Sequence, residues 1–243
     1  MQSVEVGALL LRALADADGP RSLGALARAA GMSSAKAHRY LVSYVQAGLV
    51  VQSERSGGYD LGPLAVRIGL AALERFDAVR VAGERLGELR DAVDATSAIA
   101  VWTDAGPTVA RIELSKHPVT LAVRVGTTYP LRTTATGRIF LAFAPDAVAA
   151  GMQPVDLDDP QVAGIQADVR ARHLARVDET FLVGVSAMAA PLWHQDGRLA
   201  AAVTVIGRAG ALDLDWDGPT ARALLAFTAG CSPFASQNAF RNP

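Results

Sequence analysis

Only one cysteine, Cys231, occurs in the 243 residues, so no internal disulfide can form and a reducing compartment is expected. Long apolar runs are also missing. The longest, "FLVGVSAMAAPLW", is broken by Gly, Ser and Pro and is too short to cross a bilayer. The opening "MQSVEVGALLLRALADADG" has no basic leading segment and meets Glu5 early, so it does not read as a signal peptide. Neither charge dominates, since the formal net charge is −1. Residues 1–75 carry 8 Lys/Arg against 6 Asp/Glu and the remainder 15 against 18, a weak asymmetry that permits nucleic-acid contact at the N-terminus. There is no internal repeat and no low-complexity tract. With 51% hydrophobic and 19% charged residues, the chain is expected to be an ordered, cytoplasmic protein of one large domain or two smaller ones, with no membrane contact.

Catalytic signatures are absent too. Of the four histidines (His38, His117, His173 and His194), none stands at ligand spacing from another His, a Cys or a carboxylate. No G-x-S-x-G, P-loop or G-x-G-x-x-G occurs, and Cys231 has no evident base partner. Asp158 and Asp159 precede Pro160 and read as a solvated turn, not an acid/base pair. Trp102 and Trp193 read as core or pocket-wall residues. These absences leave no catalytic residue, metal or cofactor to expect, and the chain does not read as an enzyme.

What is present is periodicity. Val6, Leu9, Leu10, Ala13 and Leu14 recur at helical spacing before "DADGP". Ser22 caps a second helix that Gly31 stops, and a third runs from about Ser33 to Gln46, ended by Gly48. Ala37, Tyr40, Leu41, Tyr44 and Val45 are its expected core face. "LVVQSERSGGYDL" gives a hairpin about Gly57–Gly58. A connecting helix runs from Pro63 to about Glu74, and another lies near 77–93. "SAIAVWTDAGPTVARIEL" reads as two strands and "VTLAVRVGTTYPL" as a third. "TATGRIFLAF" is a loop entering a helix, and 145–175 is rich in Asp, Pro and Ala with some helix. "GVSAMAAPLWHQDGRLAAAVTVIG" is a hairpin turning at Gln195–Gly197, before a final helix near 217–231. The expected class is α+β, an antiparallel sheet flanked by helices behind a small helical module.

The third helix carries the chemistry of the N-terminal part. With Ala37 facing inward, Ala35, Arg39 and Val42 face outward, flanked by Lys36 and Ser43 on one side and His38 on the other. Small residues at its start allow close approach to DNA, while Ser33, Ser34, Lys36 and Arg39 offer donors to bases and phosphates. Ser53, Arg55 and Ser56 near the hairpin tip suit a wing along the backbone. A plain αα unit with a solvated face is the competing reading.

"SLGALARAAGMSSAKAHRYLVSYVQAGLVVQSERSGGYDLGPLAVRIG" resembles the winged helix-turn-helix of the IclR family of bacterial transcription regulators, notably in "HRYL", "AGLV" and "YDLGP". "PLRTTATGRIFLAF" and "GVSAMAAPLWHQDGRLAAAVTV" resemble that family's second half, so the resemblance covers residues 4–230. It implies a winged helix-turn-helix at 1–62, a linker helix at 63–76 and a GAF-like effector-binding domain at 77–243, assembled as a homodimer or homotetramer on operator DNA. DNA contacts are then expected from Ser33, Ser34, Ala35, Lys36, His38, Arg39, Ser43 and Arg55.

The effector is expected to be a small organic acid. A small-residue loop opening a helix exposes N–H groups that favour anions, here at Ala135, Thr136 and Gly137, with Thr134 or Thr136 adding a hydroxyl; local sequence alone favours an ordinary capped helix start, and it is the resemblance that implies a ligand held by this loop. The remaining walls that the resemblance implies are Val177 and Asp178 in "RVDET", Ala187 where many members carry Cys, and Thr204 and Ile206 on the last strand. Val177 and Ile206 replace more polar alternatives, so the pocket is expected to be apolar and to take an aromatic or aliphatic acid. The segment before "VDET" is shorter than usual, the C-terminal helix ends early, and "SSAK" replaces a Lys-Ser-Thr-like start, so operator sequence cannot be carried over. The functional expectation is an effector-modulated regulator, a repressor in preference to an activator. The alternative is a small-molecule-binding or interaction protein whose winged module no longer binds DNA.

Overall fold

The computed structural model describes residues 2–74, 77–116, 123–151, 153 and 155–232, in two compact units, Met1–Arg75 and Phe76–Pro243. His117 lies outside the described residues.

The first unit runs α1 (Gln2–Ala15), α2 (Leu23–Ala29), α3 (Ser34–Ala47), β1 (Val50–Gln52), β2 (Tyr59–Leu61) and α4 (Pro63–Glu74). The apolar stripes converge: Leu10 and Leu14 of α1, Leu26 and Ala27 of α2, and Ala37 and Leu41 of α3 bury one core with Val50 and Tyr59. The helix starts follow from capping chemistry. Ser22 Oγ accepts from Ala25 N at 3.3 Å and Ser33 Oγ from Lys36 N at 3.4 Å, each occupying an N–H that the first helical turn leaves without a partner. α3 ends at Gly48, whose φ of 75° only glycine adopts readily. Val45, expected in the core, is instead 39% exposed. It sits about 80° round the helix from Ala37, outside the stripe that the unit covers.

β1 and β2 pair antiparallel, Val50 opposite Leu61 and Gln52 opposite Tyr59. Arg21 adds one antiparallel bridge, its N–H donating to Tyr59 O at 2.9 Å and its carbonyl accepting from Tyr59 N at 2.8 Å. The hairpin is thereby tied to the loop before α2.

The second unit begins with α5 (Asp77–Val93), β3 (Thr96–Thr103) and β4 (Gly106–Glu113). α6 (Ala135–Phe143), α7 (Pro145–Ala150) and α8 (Pro160–Arg172) follow, then β5 (Ala175–Asp178), β6 (Val185–Trp193), β7 (Leu199–Arg208) and α9 (Pro219–Cys231). The strands form one antiparallel sheet ordered β4-β3-β7-β6-β5. Alternation along each strand divides its side chains between two cores. Ile99, Met188, Ala190, Leu192, Val203 and Val205 pack with Leu86 and Leu89 of α5 and Leu224 and Phe227 of α9. Ala100, Ala189 and Ala202 turn the other way, toward Ile139 and Phe140 of α6 and Val162 and Val169 of α8. α6 is apolar nearly all round, as a helix enclosed on every side must be.

The third expected strand is a correction. Residues 119–122 of "VTLAVRVGTTYPL" lie outside the described residues, and the rest forms no strand. Val109 N donates to Thr127 O at 2.9 Å and Tyr129 N to Pro107 O at 2.8 Å, with a single bridge between Thr108 and Thr128. A turn at Gly126 (φ 90°) and Pro130, which has no N–H, keep this edge contact from lengthening. Asp159 also departs from the expected turn: its Oδ1 accepts from Gln161 N at 2.8 Å, capping α8, and its Oδ2 pairs with Arg132 at 3.0 Å.

Candidate functional site

In the first unit, α2 and α3 are joined by a tight turn. Gly31 takes φ 63°, its N–H donates to Arg28 O at 3.1 Å, and Met32 N donates to Ala27 O at 2.9 Å. Past that turn Ser34, Ala35, His38, Arg39, Val42 and Ser43 are exposed, and Lys36 is half-buried on the flank. At 100° per residue, Ala35, Arg39, Val42 and Gln46 form one stripe. Gln46, exposed at its end, completes the face and was missed because the reading stopped at Ser43. Ser33 is occupied as a cap, and Ser43 Oγ donates to Arg39 O at 3.2 Å. Among the described residues, the charged groups of Lys36 and Arg39 have no ion-pair or hydrogen-bond partner. The same holds for Arg55, exposed beside Glu54 where Ser53 N donates to Gly58 O at 2.8 Å and closes the hairpin. A convex helix with small residues at its start and free cations along its length can enter a groove and reach both base edges and phosphates.

In the second unit a cavity lies between the sheet and the start of α6, with an empty volume of about 450 Å³ that is partly open to solvent. Six of the eight expected effector residues line it: Ala135, Thr136, Val177, Ala187, Thr204 and Ile206. Strand register explains the gathering. Val177, Ala187 and Ile206 are successive partners across β5, β6 and β7, and Thr204 stands two residues back on the same face. Thr136 and Thr204 meet hydroxyl to hydroxyl at 2.8 Å, both 2% exposed. At the helix start, Thr134 Oγ1 accepts from Gly137 N at 3.0 Å, which leaves the N–H groups of Ala135 and Thr136 without an acceptor among the described residues.

Two expected residues do not line the cavity. Gly137 has its N–H occupied by the cap, and a Cβ there would stand 2.6 Å from the Leu131 Cα and carbonyl oxygen. Close packing against that backbone is what requires glycine here. Asp178 alternates to the other side of β5 from Val177, is exposed, and accepts from Ser186 Oγ.

The sequence reading also missed several walls: Val123, Tyr129, Phe181, Leu182 and Val185. Phe181 and Leu182, 45% and 47% exposed, belong to a loop closed by Glu179, whose carboxylate accepts from Gly184 N at 2.7 Å. Tyr129 is 7% exposed and its phenol oxygen has no hydrogen-bond partner among the described residues. Burial pushes that phenol up to about 12, so it stays a neutral donor. None of the described lining residues carries a charge.

Other reactive groups are quiet. Cys231 is 3% exposed at the end of α9, where burial pushes its thiol up despite Arg85 Nη1 at 3.7 Å. Among the described residues no group of three or more His, Cys, Asp or Glu could hold a metal ion, and no helix is long and apolar enough to cross a membrane.

Two family models match the chain: the IclR helix-turn-helix domain over residues 3–54 and the bacterial transcriptional regulator IclR C-terminal domain over residues 70–226. The glycerol operon regulatory protein of Streptomyces coelicolor is 26% identical over 248 residues, covering 98% of this chain and 96% of that protein. The crystal structure of Pseudomonas aeruginosa HmgR is 37% identical, with 96% of this chain and 97% of that one covered and a TM-score of 0.59. An IclR homolog from Microbacterium hydrocarbonoxydans, solved in complex with 4-hydroxybenzoate, shares the fold at a TM-score of 0.76 and 17% identity, with 96% and 98% covered.

Proposed function

The chain belongs to the IclR family of bacterial transcription regulators, and from that premise we propose that it grips operator DNA through α3 and the β1–β2 hairpin and changes that grip when a small organic acid fills the α6 cavity. The family's members are regulators and not enzymes, with a DNA-binding domain and a C-terminal effector-binding domain. The division of labour is residues 1–62 for DNA, 63–76 as the linking helix, and 77–243 for the effector. Ser34, Ala35, His38, Arg39 and Ser43 face the groove, Lys36 and Arg55 reach the phosphates, and Ser33 sets the start of α3. The protein acts as a homodimer or homotetramer, since two recognition helices double the readout of a two-fold operator. Repression is the preferred sense of regulation.

One observation carries the DNA half: the exposed face of α3 behind the Gly31 turn, with Arg39 free to bond. The acid half rests on the two free N–H groups of α6 above the Thr136–Thr204 pair, at the positive end of a buried helix. A relative of the same fold holds 4-hydroxybenzoate, a small aromatic acid.

Fluorescence anisotropy on the native upstream DNA and a scrambled control, at two salt concentrations, tests the reading. Wild type should bind the native DNA selectively and more weakly as salt rises. Arg39→Ala should lose about 1–3 kcal/mol, the worth of a base contact. Equal binding to both DNAs, with and without candidate acids, refutes it.

A further inference from the structure

The cavity has two ends of different character. Over the β4–β3 side stands Tyr129, its ring packed on Ala98 and Val109. Over the β5–β6 side stand Val177, Val185 and Ala187, with Phe181 and Leu182 above them. Between these ends, Thr204 of β7 and the start of α6 supply hydroxyls and N–H groups. Neighbouring strands lie about 4.8 Å apart, so the two ends are on the order of 10 Å from one another across the sheet. The cavity is thus a trough with donors at one end and the middle, and hydrocarbon at the other.

Among the described residues, Ser97 Oγ and Tyr129 Oη are buried side-chain oxygens without a hydrogen-bond partner, and of the two only Tyr129 lines the cavity. A phenol buried without a partner is destabilising, and folded proteins satisfy such groups almost without exception. Nothing local forces it there. Its backbone is held independently, by Tyr129 N on Pro107 O at 2.8 Å and by Gln153 Nε2 on Tyr129 O at 3.0 Å. The hydroxyl adds nothing to that anchoring, and phenylalanine would fill the same space.

We propose that Tyr129 is the residue that recognises the effector's head group, donating its phenol hydrogen to a carboxylate that the α6 N–H groups and the Thr136–Thr204 hydroxyls hold from the other side. This rests on reading the cavity as the effector site. It narrows the ligand to a monocarboxylate with an apolar body. Every donor facing the head group is neutral, and no charged side chain lines the cavity among the described residues. Two or three neutral donors and a helix start can hold a single negative charge. A phosphate ester, with nearly two charges and no cation to meet them, is disfavoured by desolvation. The hydrocarbon end then takes the body of the acid, aromatic or aliphatic.

The test uses the full-length protein as wild type and as Tyr129→Phe, with benzoate, hexanoate, benzamide and phenyl phosphate as probes in calorimetric titrations. Wild type should bind benzoate or hexanoate and discriminate against benzamide and phenyl phosphate. Tyr129→Phe should weaken carboxylate binding by about 10–100-fold, the span of one hydrogen bond to a charged acceptor. It should also melt, without ligand, at or above the wild-type temperature, because it deletes an unpartnered hydroxyl. A purely structural tyrosine would give the opposite, a lower melting temperature with unchanged affinity, and either of those results overturns the proposal. Phenyl phosphate binding as tightly as benzoate, or no carboxylate binding to wild type, overturns it as well. The operator assay separates the two layers: an acid that shifts DNA binding equally in both proteins sinks the role of Tyr129 and leaves the regulator intact. DNA binding that responds to nothing sinks the reading beneath it.

Discussion

Removing one hydroxyl from the floor of the cavity should be worse than removing two. Thr136 Oγ1 and Thr204 Oγ1 meet at 2.8 Å, and each residue is 2% exposed, so each is the other's hydrogen-bond partner. Thr204→Val keeps the shape, deletes one member and strands Thr136 with a buried, unpaired hydroxyl. That should cost about 1–3 kcal/mol. Thr136→Val strands Thr204 in the same way. The double variant leaves two methyl groups in contact and no orphan, and should return to within about 1 kcal/mol of wild type. The coupling between the two sites is then about 3 kcal/mol, far above the few tenths expected of independent positions. Urea unfolding followed by tryptophan fluorescence measures it cleanly, because Trp102, Trp193 and Trp216 all lie in the second unit. In thermal scans each single variant should fall by roughly 2–12 °C, at about 2–4 °C per kcal/mol for a domain of this size. A double variant as unstable as the two singles summed would refute the reasoning, since the hydroxyls would then be held by something other than each other.

Gly137→Ala places a methyl group 2.6 Å from the Leu131 Cα and carbonyl oxygen, backbone that cannot rotate away. It should cost about 1–3 kcal/mol and displace the first turn of α6, so thermal unfolding and acid titration should both suffer; an unchanged melting temperature would count against this packing. Tyr129 supplies the pH dependence. With a phenol at about 12 when folded and 10.0 when unfolded, both states keep the proton below pH 10 and its contribution is intact there. Between pH 10 and 12 the unfolded state ionises first, and stability should fall by about 2–3 kcal/mol. Phenolate absorbance and chemical unfolding across that range should show this slope in wild type and lose it in Tyr129→Phe.

Helices were the most legible part of the chain, because their ends are written in local chemistry. Ser22, Ser33 and Gly48 each fix a boundary within a residue or two, since a cap needs only its own turn to work. The hairpin was equally local. Residues whose state depends on distant partners were harder. Val45 lies at the edge of a stripe whose width is decided by what α2 and the hairpin can cover. The β-prone run through Val123–Leu131 was cut short by Gly126 and Pro130, and only one bridge survived. At the cavity, Val177, Ala187, Thr204 and Ile206 were named through resemblance, and strand register brings them to one lining. Asp178, named beside Val177, stands on the other side of β5, because resemblance carries over neighbours without their alternation. Phe181 and Leu182 sit in a loop with no period to read. Tyr129 was invisible for a deeper reason: an unpaired hydroxyl is a property of everything packed around it, and no stretch of sequence contains that.

The sheet of the second unit keeps its two hydrophobic layers on opposite faces, and only one of them holds the cavity. That separation gives the protein room to evolve. Ala187 or Ile206 can change size and redraw the cavity's outline while the layer under α5 and α9 continues to hold the chain above its folding threshold. A lineage can therefore try new cavity shapes one substitution at a time without first repairing its scaffold. A cavity spread over both faces would tie each change of shape to the survival of the fold.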